Sequence, residues 1–242
     1  MAGQYIEPMS ALPVTLPLPS QCAVCRGWAS RRLCPTCLQR FAAPRPRCAR
    51  CAIGVAEGIA LCGACLKQPP PFDAAVAAVD YEFPWDGLVQ RFKFHAALDL
   101  ADGLAQCLHA AVRRNGAPDP DLLLPVPLSA ARLRERGYNQ AWEIARRVAR
   151  RLGRPADAAL LLRMKDTPHQ LALAPARRAA NVRGAFAIEP LRGAEVGGCD
   201  VAVVDDVMTT GATAAEIATV LLQAGARSVR IWVVARTPRP QD

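Results

Sequence analysis

The stretch from Val201 to Thr213, which reads VAVVDDVMTTGAT, constrains the possible fold more than any other part of the chain. Its first four residues form a short, mostly β-branched run that is typical of a strand buried on both faces. Two acids are expected to end this strand. A loop of small residues then leads from Thr209 into an Ala-, Ile- and Leu-rich segment with helical spacing that reaches Gly225. The stretch therefore predicts a strand, an acidic corner, a loop and a helix of an α/β domain.

The same stretch has the chemistry of a sugar-phosphate site. A small-residue loop at the start of a helix presents backbone N–H groups and the positive end of the helix dipole to an anion. Asp205 and Asp206 accept hydrogen bonds when they are ionised, so they suit the vicinal hydroxyls of a ribose or a bound Mg²⁺. The alternative is a purely structural corner, because a buried strand followed by two acids and a glycine occurs in many doubly wound sheets.

The cysteines are concentrated near the start of the chain. Of the ten cysteines among 242 residues, eight occur as four CxxC pairs. Two intervening residues let both sulfurs reach one tetrahedral ion, so four pairs predict two structural Cys₄ sites for Zn²⁺. The predicted ligands are Cys22, Cys25, Cys34, Cys37, Cys48, Cys51, Cys62 and Cys65. Consecutive and crossed pairings both fit this spacing. One alternative is disulfides, which require an oxidising compartment. Another is iron–sulfur ligation, which the even pairing of the cysteines disfavours.

The chain divides into four predicted parts. They are a flexible N-terminal segment (1–20), a double zinc-ribbon-like module (21–67), a Pro-rich linker (68–72) and an α/β domain (73–242). The first twenty residues lack the basic start of a secretory signal and are interrupted by prolines. No run of eighteen apolar residues occurs. We therefore expect a cytoplasmic protein without a membrane span.

Positive charge is concentrated before the acidic corner. Residues 126–186 contain thirteen Lys and Arg against four Asp and Glu, a net +9 that equals the net charge of the whole chain. Three of these cations, Arg132, Arg134 and Arg136, follow a predicted strand at 122–126. Guanidinium groups match phosphate oxygens, so these arginines suit a pyrophosphate. A solvated basic loop is the alternative. Residues 167–170 and 177–186 have few bulky apolar residues, which favours a mobile flap.

Taken together, these pieces resemble the ComF family of competence proteins. The cysteine-rich start, the Lys93-Phe94 pair, the stretch LSAARLRERGYNQ at 128–140, the flap at 167–186 and VAVVDDVMTTGAT occur in the order of that family. The resemblance implies a zinc-binding region followed by a type I phosphoribosyltransferase-like domain, which is a mainly parallel sheet flanked by helices. It also implies a role in uptake or use of external DNA.

The resemblance implies a role for each matching residue. The acids Asp205 and Asp206 would hold ribose hydroxyls of phosphoribosyl pyrophosphate (PRPP). Its 5′-phosphate would lie on Thr209, Thr210, Gly211, Ala212 and Thr213. The pyrophosphate and substrate side would comprise Arg132, Arg136, Gly137, Asn139 and Gln140, and the flap Gln170, Arg178 and Asn181. The chain departs from the family at Arg177, where an acid is common, and at His95, where glycine is usual.

Two functions from different classes follow. The first is a PRPP-dependent phosphoribosyltransferase that uses Mg²⁺, with an unknown acceptor and no assigned catalytic residue. Thr209 replaces an acid that several purine-salvage enzymes use, which disfavours purine salvage. The second is a non-catalytic scaffold that senses a phosphoribosyl ligand or nucleotide and binds single-stranded DNA or a DNA-uptake motor protein. A zinc-ribbon transcription factor would leave the phosphate loop unexplained.

Overall fold

The computed structural model describes residues 19–116, 118–165 and 182–238. The cysteine-rich module contains a short antiparallel pair and two short helices, which begin next to cysteines. These elements are β1 (Ser20–Gln21), β2 (Trp28–Ala29), α1 (Pro35–Phe41) and α2 (Gly63–Lys67). Most of the module therefore consists of turns, as expected for a segment that metal binding rather than a large apolar core would hold together.

The second part of the chain is built on a four-stranded, entirely parallel sheet with the order β3-β8-β7-β4. Its strands are β3 (Ala74–Asp80), β4 (Leu122–Pro125), β7 (Asp200–Met208) and β8 (Ser228–Arg236). In the register, Val204 lies opposite both Pro125 and Trp232. The central strand β7 is buried on both faces, which explains why it begins with a continuous apolar run rather than an alternating one.

Helices cover both faces of this sheet. One apolar core joins the sheet to α3 (Trp85–Phe94), α4 (Ala101–Asn115) and α6 (Gln140–Leu152). The other face packs against α7 (Ala212–Gln223) and the antiparallel pair β5 (Leu161–Arg163) and β6 (Phe186–Ile188). A short helix, α5 (Ala130–Arg136), follows β4. This mixed α/β architecture confirms the predicted fold class of a parallel sheet flanked by helices and preceded by a cysteine-rich module.

Two local features differ from the sequence prediction. The strand β7 does not end at the acids but continues to Met208, because Asp205 and Val207 still pair with β8. Helix α5 was not predicted. It is only seven residues long, and its ends are fixed by a Ser129 cap, whose hydroxyl accepts from the Arg132 N–H, and by Gly137 at φ 79°. Such short helices depend on caps more than on an apolar stripe.

The cysteine-rich module packs directly on the α/β domain. The Trp85 indole Nε1 donates to the Phe41 carbonyl at 2.8 Å, and Arg47 forms an ion pair with Asp80 at 2.7 Å. Helix α4 approaches so closely that a Cβ added at Gly103 would lie 2.7 Å from a Leu33 methyl carbon. Any larger residue at this position would therefore have to displace the Leu33 side chain.

Within the described ranges of the chain, no helix combines the length and apolar character that crossing a membrane requires.

Candidate functional site

The loop between β7 and α7 presents unpaired backbone donors. Thr209 and Thr210 are exposed, and Gly211 is half-buried. Among the described residues, no hydrogen bond uses the N–H groups of Thr209, Thr210 or Gly211. These donors lie at the start of α7, where the helix dipole adds positive potential. The loop is therefore built to receive an anion with several acceptor oxygens.

Glycine and a threonine hydroxyl shape this loop. Gly211 precedes the first helical residue at φ 85°, a left-handed conformation that most side chains disfavour. The Thr210 hydroxyl accepts a hydrogen bond from the Ala212 N–H at 3.3 Å. Thr213 lies in the first turn of α7. The predicted phosphate residues, Thr209 to Thr213, are thus contiguous around the beginning of one helix.

Asp205 lies beneath the loop. It lines a small cavity of about 50 Å³ together with residues Thr209 to Thr213. Its Oδ1 accepts the Asp206 N–H at 2.8 Å. Burial, followed by the neighbouring charge of Asp206, raises the pKa of Asp205 to about 8. At neutral pH this carboxyl is therefore mainly protonated until a cation or ligand stabilises its ionised form.

Asp206 extends toward the opposite face of the sheet, because successive side chains of a strand alternate. It is 2% exposed, and its Oδ1 lies 2.9 Å from the Lys93 ammonium of α3. Burial alone lowers the pKa of Lys93, but the charges of Asp206 and Asp205 outweigh it and raise that pKa. The second oxygen, Oδ2, is buried and has no hydrogen-bond partner in the described part of the chain. The two acids thus occupy different environments although they are adjacent in sequence.

The predicted pyrophosphate side follows β4 at the same carboxyl edge of the sheet. Arg132 and Arg136 are half-buried on α5. Arg136 donates to the Gln140 side-chain oxygen at 2.6 Å, and its guanidinium lies 5.2 Å from the centre of the exposed Phe94 ring. These arginines therefore add positive charge at the strand ends, where ligands of open α/β sheets bind.

Two of the predicted substrate-side residues shape the backbone. Gly137 ends α5 in the left-handed conformation at φ 79°. The Asn139 side-chain oxygen accepts the Ala141 N–H at 2.9 Å and the Trp142 N–H at 3.3 Å, and its amide donates to the Val126 carbonyl at 3.1 Å. Asn139 therefore caps α6 and connects it to the end of β4.

The predicted flap residues Gln170, Arg178 and Asn181 lie outside the described residues, as does Arg177.

The eight cysteines of the CxxC pairs form two compact clusters. In each, the four sulfurs lie within 4.8 Å of one another. The first cluster contains Cys22, Cys25, Cys34 and Cys37, and the second contains Cys48, Cys51, Cys62 and Cys65. Consecutive pairs therefore share a site, which resolves the alternative pairings. All eight thiols are free of disulfides, so each cluster offers the tetrathiolate donor set that structural zinc requires.

The two clusters repeat the same backbone geometry. The Cys34 N–H donates to the Cys22 sulfur at 3.5 Å, and the Cys62 N–H donates to the Cys48 sulfur at 3.3 Å. Although burial opposes it, such backbone donation lowers the pKa of Cys22 to about 6 and that of Cys48 to about 7. Each cluster therefore contains a thiol that ionises readily, which favours binding of a cation.

A larger cavity of about 480 Å³ lies between the second cluster and the loop. Its lining includes Cys62 and Cys65 on one side and the loop residues Thr209 to Ala212 on the other. Arg236, the last residue of β8, also borders it. Arg236 was not predicted from the sequence, because nothing in the local pattern of β8 shows that a charged residue at its end is buried by the cysteine-rich module.

Comparison with known proteins gives matches over parts and over nearly the whole of the chain. Residues 14–67 match a family model described as "Double zinc ribbon domain". The DNA utilization protein YhgH of Salmonella typhi is 34% identical over 229 residues, covering 92% of this chain and 99% of the relative. YhgH of Escherichia coli K12 is 32% identical over 234 residues with the same coverage. Competence protein F of Haemophilus influenzae is 34% identical over 223 residues, covering 89% of this chain and 96% of the relative.

Solved structures give weaker likenesses. The glutamine PRPP amidotransferase of B. subtilis, complexed with ADP and GMP, matches with a TM-score of 0.39 and 20% identity. That match covers 59% of this chain and only 30% of the amidotransferase. Protein TT1426 of Thermus thermophilus matches with a TM-score of 0.35 and 22% identity, covering 59% of this chain and 85% of TT1426. At these TM-scores the likenesses support no conclusion about function.

The sequence relatives are decisive because they match from the cysteine-rich module through the loop between β7 and α7. Their coverage of about nine-tenths of the chain at 32–34% identity excludes a match confined to the zinc ribbon. The resemblance found from the motifs is thereby confirmed. The chain belongs to the ComF family, which includes DNA utilization protein YhgH and competence protein F.

Proposed function

We propose that this chain is a phosphoribosyltransferase-like protein that binds PRPP and Mg²⁺ and acts in the use of external DNA. The observation that carries the proposal is the group of three backbone donors at Thr209, Thr210 and Gly211, which lack partners in the described residues and lie above Asp205. A 5′-phosphate supplies the acceptor oxygens that these donors lack, and a ribose supplies hydroxyls for the carboxyl group.

The two acids would contribute differently. Asp205 lines the cavity below the loop and would accept hydrogen bonds from the ribose hydroxyls. Asp206 is fixed from behind by Lys93 and is buried, so it would act mainly by holding the end of β7 in place. Arg132 and Arg136 would offset the charge of the pyrophosphate. The flap residues Gln170, Arg178 and Asn181 remain a prediction.

Asp205 also fits a hard divalent cation. Its carboxyl favours the protonated form in the free protein, and a bound cation would stabilise the ionised form. Mg²⁺ held there would offset part of the negative charge of the pyrophosphate. Zn²⁺ would have a structural role in the two cysteine clusters. All four donors of each cluster are protein thiols, so no coordination position is left for a substrate.

The chemistry that fits this site is displacement at the anomeric carbon. A nucleophile forms a bond to C1 of the ribose while the bond from C1 to the pyrophosphate oxygen breaks, and pyrophosphate leaves with the electron pair. This reaction needs positioned substrates and charge stabilisation rather than a covalent protein intermediate. The protein would contribute the loop donors and the α5 arginines, and the reaction requires no protein nucleophile.

The cellular role is proposed from the relatives. Their names describe DNA utilization and competence, and they match along nearly the whole chain. We propose the same role here, in the cytoplasm. We also retain as a proposal the division into a terminal segment, a double zinc ribbon, a Pro-rich linker and a phosphoribosyltransferase-like domain.

The enzyme proposal is tested by pyrophosphate release. The zinc-loaded chain is mixed with PRPP and Mg²⁺, alone and with single-stranded DNA, nucleosides or free nucleobases as acceptors. We expect release that depends on one acceptor class and that Asp205→Asn reduces. If PRPP binds but no acceptor promotes release, the site senses PRPP rather than transferring its ribose. If PRPP does not bind to the folded protein, the proposal is wrong.

A second candidate, binding of single-stranded nucleic acid, is favoured by one specific observation. Phe94 at the end of α3 is 60% exposed, and the Arg136 guanidinium packs against its ring. An exposed ring beside cations is a surface on which a base can stack while its phosphates meet positive charge. This surface adjoins Lys93 and therefore the carboxyl edge of β7.

This candidate is tested by anisotropy titration of a labelled oligothymidine. We expect Phe94→Ala to weaken binding by about 5- to 150-fold, which corresponds to the ~1–3 kcal/mol typical of stacking on one aromatic side chain. Phe83→Ala is the matched control, because Phe83 is 76% exposed but packs against Phe41 of the cysteine-rich module. Equal affinities of the two variants would exclude Phe94 as a stacking surface.

A further inference from the structure

One buried arginine connects the second cysteine cluster to the proposed phosphate loop, residues 209–213. Arg236 is 6% exposed, and its Nε donates to the Cys51 carbonyl at 3.0 Å. Its Nη1 donates to the Met208 and Thr237 carbonyls, both at 3.0 Å, and to the Thr209 carbonyl. A single planar guanidinium thus holds backbone oxygens from the two ends of the chain.

The bonds on the loop side determine where the loop donors point. The Met208 carbonyl and the Thr209 N–H belong to one planar trans peptide, and the Thr209 carbonyl and the Thr210 N–H belong to the next. In a trans peptide the carbonyl and the N–H point in opposite directions. By holding both carbonyls on its own side, Arg236 directs the N–H groups of Thr209 and Thr210 away from itself. These are two of the three unpaired donors of the loop.

The bond on the cluster side depends on the metal. Cys51 belongs to the second cluster. Directly after it the chain turns at Ala52, at φ 55°, and the Cys48 N–H donates to the Ile53 carbonyl at 2.8 Å. Four thiolates within 4.8 Å of one another repel without a cation, so loss of the metal favours separation of the sulfurs. Separation moves the turn that contains the Cys51 carbonyl.

The first cluster has no such connection within the described residues. Leu33, which precedes Cys34 of this cluster, packs against α4 at Gly103. This contact lies on the face of the sheet that is covered by α3, the helix of Lys93. The second cluster, in contrast, borders the 480 Å³ cavity whose opposite side is the loop. On that side the loop is held by the hydrogen bonds of Arg236 to the Met208 and Thr209 carbonyls and by the Thr237 N–H, which donates to the Met208 carbonyl at 3.1 Å.

We propose that metal binding at the second cysteine cluster and anion binding at the phosphate loop are coupled through Arg236. Arg236 is a positioning residue: it does not meet the ligand but fixes the peptides that do. Coupling is reciprocal, so a phosphate ligand on the loop also favours metal retention at the second cluster. The identity of the anion as PRPP rests on the proposed function, whereas the coupling itself rests on the contacts of Arg236.

The experiment compares one variant of each cluster in the full chain. Cys65→Ser removes a ligand of the second cluster without touching Arg236, and Cys37→Ser is the matched change in the first cluster. Zinc content per chain establishes that each variant has lost one ion. Calorimetric titration with PRPP and Mg²⁺ then gives the affinity. Amide hydrogen exchange at Ala212 and Thr237, whose N–H groups donate to the Thr210 hydroxyl and the Met208 carbonyl, reports the loop without any ligand.

We expect Cys65→Ser to lower PRPP affinity by about 5- to 150-fold, the usual range of coupling between sites, and to speed exchange at Ala212 and Thr237. Cys37→Ser should do neither, even if it lowers global stability as much. Arg236→Lys keeps the charge but loses the planar guanidinium that donates to several carbonyls at once. It should therefore reproduce the loss of PRPP affinity while both zinc ions are retained.

The proposal is overturned if the two cysteine variants have equal effects on the loop, or if Arg236→Lys leaves affinity and exchange unchanged. If the wild-type chain does not bind PRPP at all, the proposed function fails, but the exchange comparison still decides whether the cluster supports the loop. A Cys65→Ser protein that does not fold leaves Arg236→Lys to decide the question.

Discussion

The raised pKa of Asp205 makes a specific prediction about ligand binding. The carboxyl must be ionised to accept ribose hydroxyls and to hold Mg²⁺, but burial and the charge of Asp206 raise its pKa to about 8 in the free protein. Below that pH the free protein is mostly protonated at Asp205, so binding must release a proton. Affinity for PRPP with Mg²⁺ should therefore rise as the pH rises through 8.

The magnitude follows from the ionised fraction. With a pKa of about 8, roughly one-tenth of Asp205 is ionised at pH 7 and roughly nine-tenths at pH 9. Since apparent affinity scales with the competent fraction, it should increase about tenfold over this interval. Near pH 7, binding should release about 0.9 proton per ligand, because nearly all of the carboxyl must ionise. The phosphate monoester has its second pKa near 6 and contributes little above pH 7.

Calorimetric titrations in two buffers with different ionisation enthalpies measure both quantities. Asp205→Asn is the matched control, because the amide has nearly the same shape but does not titrate. Its affinity should be weaker and constant between pH 7 and 9, with no proton release above that of the ligand itself. A wild-type affinity that is constant over this range, or that changes in parallel with the variant, would refute the reasoning.

Three further predictions concern the surroundings of the site, each measured by urea denaturation in excess zinc. Asp206→Asn and Lys93→Met should each cost about 2–3 kcal/mol by leaving a poorly hydrated charge unpaired, and the double variant should cost at least about 1 kcal/mol less than their sum; additive costs would contradict the ion pair. Asn139→Ala should cost about 1 kcal/mol through the lost cap of α6, whereas an aspartate there should retain stability. Gly103→Ala should cost about 1–3 kcal/mol because its Cβ would overlap the cysteine-rich module, while Gly87→Ala, with open space around it, should not; equal costs would contradict the close packing.

The sequence was most informative where local pattern determines structure. The β-branched run at Val201, the small-residue loop and the helical spacing after it are consecutive in the chain, so their order predicted β7, the loop and α7. The CxxC pairs likewise predicted two tetrathiolate clusters, because ligand spacing within each pair is local.

Features that depend on distant pairing could not be predicted in this way. The extent of β7 depends on its pairing with β8, so the acids lie inside the strand instead of ending it. Asp206 meets Lys93 from a helix more than a hundred residues earlier. Arg236 contacts Cys51, which is 185 residues away along the chain. Neither residue has a local pattern that identifies its partner, because the Asp206 contact arises when α3 packs on the sheet and the Arg236 contact arises when the cysteine-rich module does.

The central claim, that the loop at the start of α7 binds a phosphate, is tested most directly at Gly211. Asparagine and aspartate both tolerate the left-handed conformation of this residue better than other side chains, and an added Cβ would meet only the Met208 sulfur at 3.7 Å. Gly211→Asn and Gly211→Asp therefore differ mainly in charge. Calorimetric titration with PRPP and Mg²⁺ should show binding by the wild type and a much weaker affinity for Gly211→Asp than for Gly211→Asn. Equal affinities of the two variants would contradict an anion at this loop.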